Sequence, residues 1–154
     1  MFILLDIDGV MVPATSWRPL EILDDGFTSF SAKSTMALQK IISETNATIM
    51  LTTSHKFSFS LMQWEEIFQK RGIYTSIGRL DYNVFFLNRK EEILNWINEN
   101  PKLKNFVIID DDKSLNGLPN LLKSKLILTS PMVGLTDELA TDAISILQNL
   151  QLSH

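Results

Sequence analysis

Short, almost wholly apolar runs alternate along this chain with segments whose apolar residues recur every three to four positions. The runs are Phe2 to Leu5, Ala47 to Leu51, Ile73 to Ile77, Phe106 to Ile109 and Leu126 to Thr129. A strand covered on both faces has no reason to alternate, so such runs predict a parallel sheet buried between helices. Between them, Leu38, Ile41 and Ile42 predict a first helix. Phe57, Leu61, Trp64 and Phe68 predict a second, which a basic last turn and a glycine stop at Lys70-Arg71-Gly72. Ile93, Trp96 and Ile97 predict a third helix closed by Pro101, with Trp64 and Trp96 as core residues on apolar helix faces. Leu139, Ala140, Ala143, Ile144, Leu147 and Leu150 predict a long last helix opening at Thr136-Asp137-Glu138. All five prolines lie outside these elements, so local and global signals agree on an α/β fold.

Met11 to Lys33 fits neither period. With Pro13, Trp17, Pro19, Asp24-Asp25-Gly26 and the alternating Phe27-Thr28-Ser29-Phe30, it predicts a loop and a small hairpin after the first strand. Trp17 and Phe30 stand there as candidates to touch a substrate. The length of 154 residues predicts one domain, residues 1–154, with the 11–33 segment as a small insertion.

Composition narrows the function classes. Hydrophobic residues make up 45% and charged residues 21%, as in ordinary globular proteins. Fourteen basic against eighteen acidic residues give a net charge of −4, which argues against a broad electrostatic grip on nucleic acid or anionic lipid. The absence of cysteine excludes disulfide frameworks, zinc-thiolate sites and thiol nucleophiles. Asp6 and Asp8 interrupt the apolar start, and no run approaches the ~18 residues of a membrane span, so the expectation is a cytoplasmic protein without signal peptide or membrane segment.

The sharpest chemical feature is Ile3-Leu4-Leu5-Asp6-Ile7-Asp8-Gly9-Val10, a strand running into two acids and a glycine. In open parallel sheets ligands bind beyond the carboxyl ends of the strands, where these carboxylates would lie. Two neighbouring carboxylates stay charged at low cost only beside a cation, and Mg²⁺ suits their hard oxygens. Read alone, the same residues are a pair of solvated turn aspartates. Phe106-Val107-Ile108-Ile109 running into Asp110-Asp111-Asp112 brings a second acidic cluster to the same sheet edge, the far wall of a metal site. Thr52-Thr53-Ser54-His55 ends another strand and offers hydroxyls and N–H groups where the second helix is expected to start, an arrangement that also reads as a helix cap. Asn88-Arg89-Lys90 opens the third helix with two cations.

In chain order these four pieces resemble the haloacid dehalogenase-like (HAD) superfamily of phosphatases and phosphotransferases. Leu4-Leu5-Asp6-Ile7-Asp8-Gly9-Val10 matches its first motif, Thr52 or Thr53 its second, Arg89 or Lys90 its third, and Asp110-Asp111 its fourth. The resemblance implies a Rossmann-like three-layer sandwich with a mainly parallel sheet, and a defined chemistry. Asp6 would attack phosphorus to form an aspartyl phosphate, and Asp8 would protonate the leaving oxygen and then activate water. Mg²⁺ would be held by the Asp6 carboxylate, the Asp8 backbone carbonyl and Asp111, with Asp110 a ligand or a support for one. Thr52 or Thr53 would bond the phosphoryl oxygens, with Gly9 beside them, and Arg89 or Lys90 would neutralise charge. Family members that cleave carbon–halogen bonds lack the second aspartate, so Asp8 points to a phosphate ester.

The family's large cap domains are inserted after the first motif or between the second and third. Here neither interval has room for one, which predicts a minimal or absent cap and an open site suited to a bulky phosphorylated substrate, such as a nucleic-acid end or a phosphoprotein. A narrower likeness, carried by Phe27 to Lys56 and by Arg89 to Asp112, is to the small HAD domains of "Swiss Army knife" RNA repair proteins. The net acidity departs from that expectation. The competing class is a non-catalytic HAD-like domain that keeps the acidic pocket and acts by binding a partner.

Overall fold

A computed structural model describes residues 1–14, 19–81 and 87–148. Five strands form one sheet: β1 (Phe2–Leu5), β2 (Thr48–Leu51), β3 (Ile77–Arg79), β4 (Phe106–Asp110) and β5 (Leu126–Leu128). Their order is β3-β2-β1-β4-β5, and all four pairings are parallel. The chain leaves central β1 towards one edge through β2 and β3, then crosses back to the other side through β4. The carboxyl ends of β1 and β4 therefore flank the point where strand order reverses, the place such sheets offer to a ligand.

Among the described residues the helices are α1 (Ala32–Thr45), α2 (Leu61–Lys70), α3 (Arg89–Glu99), the short α4 (Asn120–Lys123) and α5 (Asp137–Gln148). They divide between the two faces. Ile3, Leu5, Ile49, Leu51, Val107 and Ile109 bury against α1, α2 and α5, while Leu4, Phe106 and Ile108 bury against α3 and the turn that follows β4. This makes the three-layer α/β sandwich of the Rossmann-like kind. It also explains the apolar runs, because successive residues of one strand enter opposite cores. Trp64 and Trp96 are core residues, one in each cluster. Among the described residues no helix is long and apolar enough to cross a membrane.

Several boundaries differ from the sequence expectation. β3 occupies Ile77–Arg79 instead of Ile73 to Ile77. Gly72, at φ 85°, turns the chain out of α2, and the Ile73 N–H still bonds Phe68, so Ile73 is a buried anchor under the helix end. Pairing with β2 begins only at Ile77 opposite Ile49. The second helix starts at Leu61, not near Phe57, because Ser60 and Gln63 form a reciprocal capping box there. Residues 52–55 consequently lie in a turn well before that helix. Ser31 caps α1, so the helix takes the last residues of the 11–33 segment. Lys113–Gly117 forms a 3-10 turn which, like α4, had no distinct sequence signal. Leu150, assigned to the last helix, lies outside the described residues.

The small hairpin is present, with Ile22 bridged antiparallel to Thr28. Arg71 at the end of α2 fastens it. Its guanidinium holds both Asp25 carboxylate oxygens at 2.7 and 3.1 Å and donates to the Phe27 and Thr28 carbonyls. That bidentate pair holds the Asp25 carboxyl below its ordinary pKa. Phe30, partly buried, packs edge-on against Phe27 and Phe68 under the Arg71 guanidinium. Trp17 lies outside the described residues.

Candidate active site

Asp6 leaves the end of β1 almost fully buried. Beyond it the chain turns sharply, the N–H groups of Val10, Met11 and Val12 all converging on the Ile7 carbonyl. Gly9 adopts φ 78°, and a Cβ there would overlap the Asp111 carboxylate. Glycine thus meets two demands at once, the left-handed turn and the close approach of the β4 loop. Thr129, just past β5, donates from its hydroxyl to the Gly9 carbonyl at 2.8 Å and locks the turn.

From β4, Asp110 is completely buried and Asp111 half-buried. Carboxylate oxygens of Asp6, Asp110 and Asp111 lie within 4.8 Å of one another. Asp112 is turned away: its carboxylate caps the 3-10 turn by accepting from the Ser114 N–H at 2.9 Å, and its own N–H donates to Asp110 at 3.0 Å.

The cation beside the cluster is Arg89. Asn88 and Glu91 form a reciprocal capping box that fixes the start of α3 and makes Arg89 its first residue. Its Nη1 lies 2.6 Å from Asp110 Oδ2 and 3.3 Å from Asp6 Oδ1. Lys90, one position on, lies instead alongside Gly117 of the 3-10 turn, its Nζ 3.2 Å from where a Cβ on that glycine would stand. Helix phase separates two residues that sequence alone left as alternatives.

The two threonines after β2 separate as cleanly. Thr52 donates its N–H to the Leu5 carbonyl, which sets it beside Asp6, and its buried hydroxyl has no hydrogen-bond partner. The Thr53 hydroxyl accepts from the His55 N–H at 3.3 Å and so supports the turn. A buried hydroxyl without a partner is costly, and one beside a carboxylate cluster is consistent with a ligand oxygen completing it.

Asp8 lies outside the carboxylate cluster, its side chain 61% exposed, with Oδ2 at 2.9 Å from His55 Nε2. Asp8 lines two cavities. The larger, about 480 Å³, is walled by Val12, Pro13, Leu20 and Met132 as well as Asp8. The smaller, about 330 Å³, is walled by Ile22, Phe27, His55 and Phe59, and Asp8 and Leu20 line it too. Sequence reasoning also missed Lys56 and Glu92, whose buried ion pair at 3.0 Å ties the turn after β2 to α3 one turn beyond Arg89. Only the i, i+3 spacing of Arg89 and Glu92 hinted at a shared helix face.

Charge is crowded at this sheet edge. Burial, reinforced by the charge of Asp110 and opposed by Arg89, pushes the Asp6 carboxyl from 3.8 up to about 8. Burial raises Asp110 also, against the pull of Arg89. Burial works against the Arg89 charge, but the carboxylates of Asp110 and Asp6 outweigh it and raise its pKa. Among the described residues, the one guanidinium paired with the cluster does not balance its three carboxylates. An all-oxygen donor set with this excess of negative charge fits a hard divalent cation such as Mg²⁺.

The chain matches, over residues 2–140, the family model described as the HAD domain in Swiss Army Knife RNA repair proteins. That covers most of its length, and the chain belongs to this family. Comparison with curated proteins returned no match, and comparison with solved structures returned none either.

Proposed function

We propose that this protein is a Mg²⁺-dependent phosphatase that hydrolyses phosphate monoesters through an aspartyl phosphate on Asp6. The observation that carries the reading is the cluster of Asp6, Asp110 and Asp111 beside Arg89, at the switch point of a HAD sheet. Asp6, Asp111 and the Asp8 carbonyl would hold the ion, with Asp110 orienting Arg89 between itself and Asp6. Bound there, Mg²⁺ supplies charge neutralisation for the nucleophile and for the phosphoryl oxygens.

An Asp6 carboxylate oxygen bonds to phosphorus as the bond from phosphorus to the ester oxygen breaks, and Asp8 gives its proton to that leaving oxygen. Water then attacks phosphorus and yields a proton to Asp8. Inorganic phosphate departs and Asp6 is a free carboxylate again. The Thr52 hydroxyl and the Arg89 guanidinium stabilise the charge that collects on the phosphoryl oxygens. The exposed Asp8 suits a group that exchanges protons with solvent between the two half-reactions.

The family description supports a phosphorylated nucleic-acid end as the substrate. The test is phosphate release from 3′- and 5′-phosphorylated oligonucleotides, phosphopeptides and small esters, with Mg²⁺ and with EDTA, by the native protein and by Asp6→Asn. Release that needs both Mg²⁺ and Asp6 is expected. Release unaffected by Asp6→Asn would refute the assignment, and no release from any of them would favour a domain that binds without catalysis.

A further inference from the structure

We propose that the two cavities beside Asp8 form the subsite for the departing alcohol, and that they select a leaving group carrying a flat, uncharged ring. The inference rests on the phosphatase reading, since only then does a leaving oxygen sit at Asp8.

The argument begins with what the cavities share. Asp8 lines both, and Leu20 lines both. A group bonded to the oxygen that Asp8 protonates has both within reach, because the Asp8 side chain lines each of them. The larger is walled chiefly by aliphatic side chains, Val12, Pro13, Leu20 and Met132. The smaller is walled by Ile22 and by three rings, Phe27, Phe59 and His55. Those rings are held rigidly. Phe27 meets His55 edge-on at 5.6 Å and Phe59 at 5.8 Å, and Arg71 fastens the hairpin that carries Phe27. A preformed, ring-lined wall favours a flat apolar face over a flexible polar chain.

Leu20, Ile22 and Met132 are 60%, 60% and 56% exposed. Large apolar side chains left in water around the opening of a polar site gain most when a ligand covers them. His55 holds Asp8 at 2.9 Å from within the ring-lined cavity, so the proton donor and the ring wall are one unit. Leu20 lines both cavities and is the residue on which selection turns.

The experiment compares 2-naphthylmethyl phosphate with ethyl phosphate, two esters whose alcohols depart with comparable difficulty but differ in apolar face. The native protein with Mg²⁺ is expected to prefer the naphthylmethyl ester by roughly tenfold or more in kcat/KM, the scale an apolar pocket delivers. Leu20→Ser should collapse that ratio; Ile22→Ser and Met132→Ser show which cavity holds the ring. All three positions are exposed, so the fold tolerates the changes. Equal kcat/KM for the two esters, or a ratio that Leu20→Ser leaves intact, overturns the inference while the phosphatase reading stands. Preference for propane-1,3-diol bisphosphate over both would indicate a polyanionic occupant and also overturn it. Calorimetry with non-hydrolysable phosphonates gives a readout independent of turnover. Tighter binding of 2-naphthylmethylphosphonate than of methylphosphonate, lost in Leu20→Ser, supports the subsite even if no ester is hydrolysed, and equal binding overturns it.

Discussion

Replacing Asp6 with asparagine should make the metal-free protein more stable above neutral pH, although it removes the proposed nucleophile. The carboxyl is buried, stands beside Asp110, and titrates near 8 in the folded chain against 3.8 when unperturbed. Between about pH 4 and 8 the native state therefore keeps a proton that the unfolded chain has released. Stability contributed by the protonated form is full below the unfolded value and declines as pH rises through that window, by at most about 1.4 kcal/mol per pH unit. Across the window the ceiling is about 6 kcal/mol. Arg89, at 3.3 Å from Asp6, and relaxation of the site reduce what a measurement would find, to roughly 2 to 3 kcal/mol. For a chain of this size that is a melting temperature about 5 to 10 °C higher for Asp6→Asn at pH 8 in EDTA.

Thermal unfolding of both proteins from pH 5 to 8.5 reads this directly. The gap should narrow towards pH 5, because the proton that native Asp6 holds costs less to keep as the pH approaches the unfolded carboxyl's 3.8. Saturating Mg²⁺ should reverse it, because an ion held only by the folded state stabilises that state and the asparagine variant has lost a ligand. A variant less stable than native at pH 8 in EDTA, or a difference independent of pH, would show that Arg89 alone already balances the cluster. The need for a divalent cation would then lose its physical basis.

Two further predictions separate neighbouring residues. Asp111→Ala should raise the Mg²⁺ concentration for half-maximal activity by tenfold or more, whereas Asp112→Ala should leave that midpoint unchanged and cost about 1 kcal/mol of stability through loss of its cap, read by Mg²⁺ titration and denaturant unfolding. Thr52→Val, which removes a buried hydroxyl that has no partner, should leave the melting temperature unchanged or raise it while turnover falls about a hundredfold; a comparable loss from Thr53→Val at full stability would reverse the assignment.

Much of the site could be read from the sequence because its pieces are local. An apolar run that ends in acids locates Asp6 and Asp110 at strand ends without knowledge of anything else in the chain, and parallel pairing then brings them to one edge. The choices between Thr52 and Thr53, and between Arg89 and Lys90, depended on direction instead of position. A turn that engages the Thr53 hydroxyl leaves that of Thr52 without a partner, and a capping box that sets the phase of α3 puts Arg89 against the carboxylates. The displaced β3 failed for a related reason. Ile73 to Ile77 has strand character, yet where a parallel strand begins is set by its partner, and Ile49 finds Ile77. The pairs His55 with Asp8, Lys56 with Glu92 and Arg71 with Asp25 join segments distant in the chain and leave no local pattern to find.

Gly9 shows how a local signal can be right for an incomplete reason. A glycine after Asp6-Ile7-Asp8 reads as a turn residue, and its positive φ agrees. A turn alone would also accept asparagine, which tolerates the left-handed region. The tighter constraint comes from the far strand, because any Cβ at this position would displace the Asp111 carboxylate from beside Asp6. The turn after β1 and the acidic end of β4 are therefore specified together. The aspartates of the first motif keep their geometry only while the residue next to them stays small enough for the fourth motif to reach them.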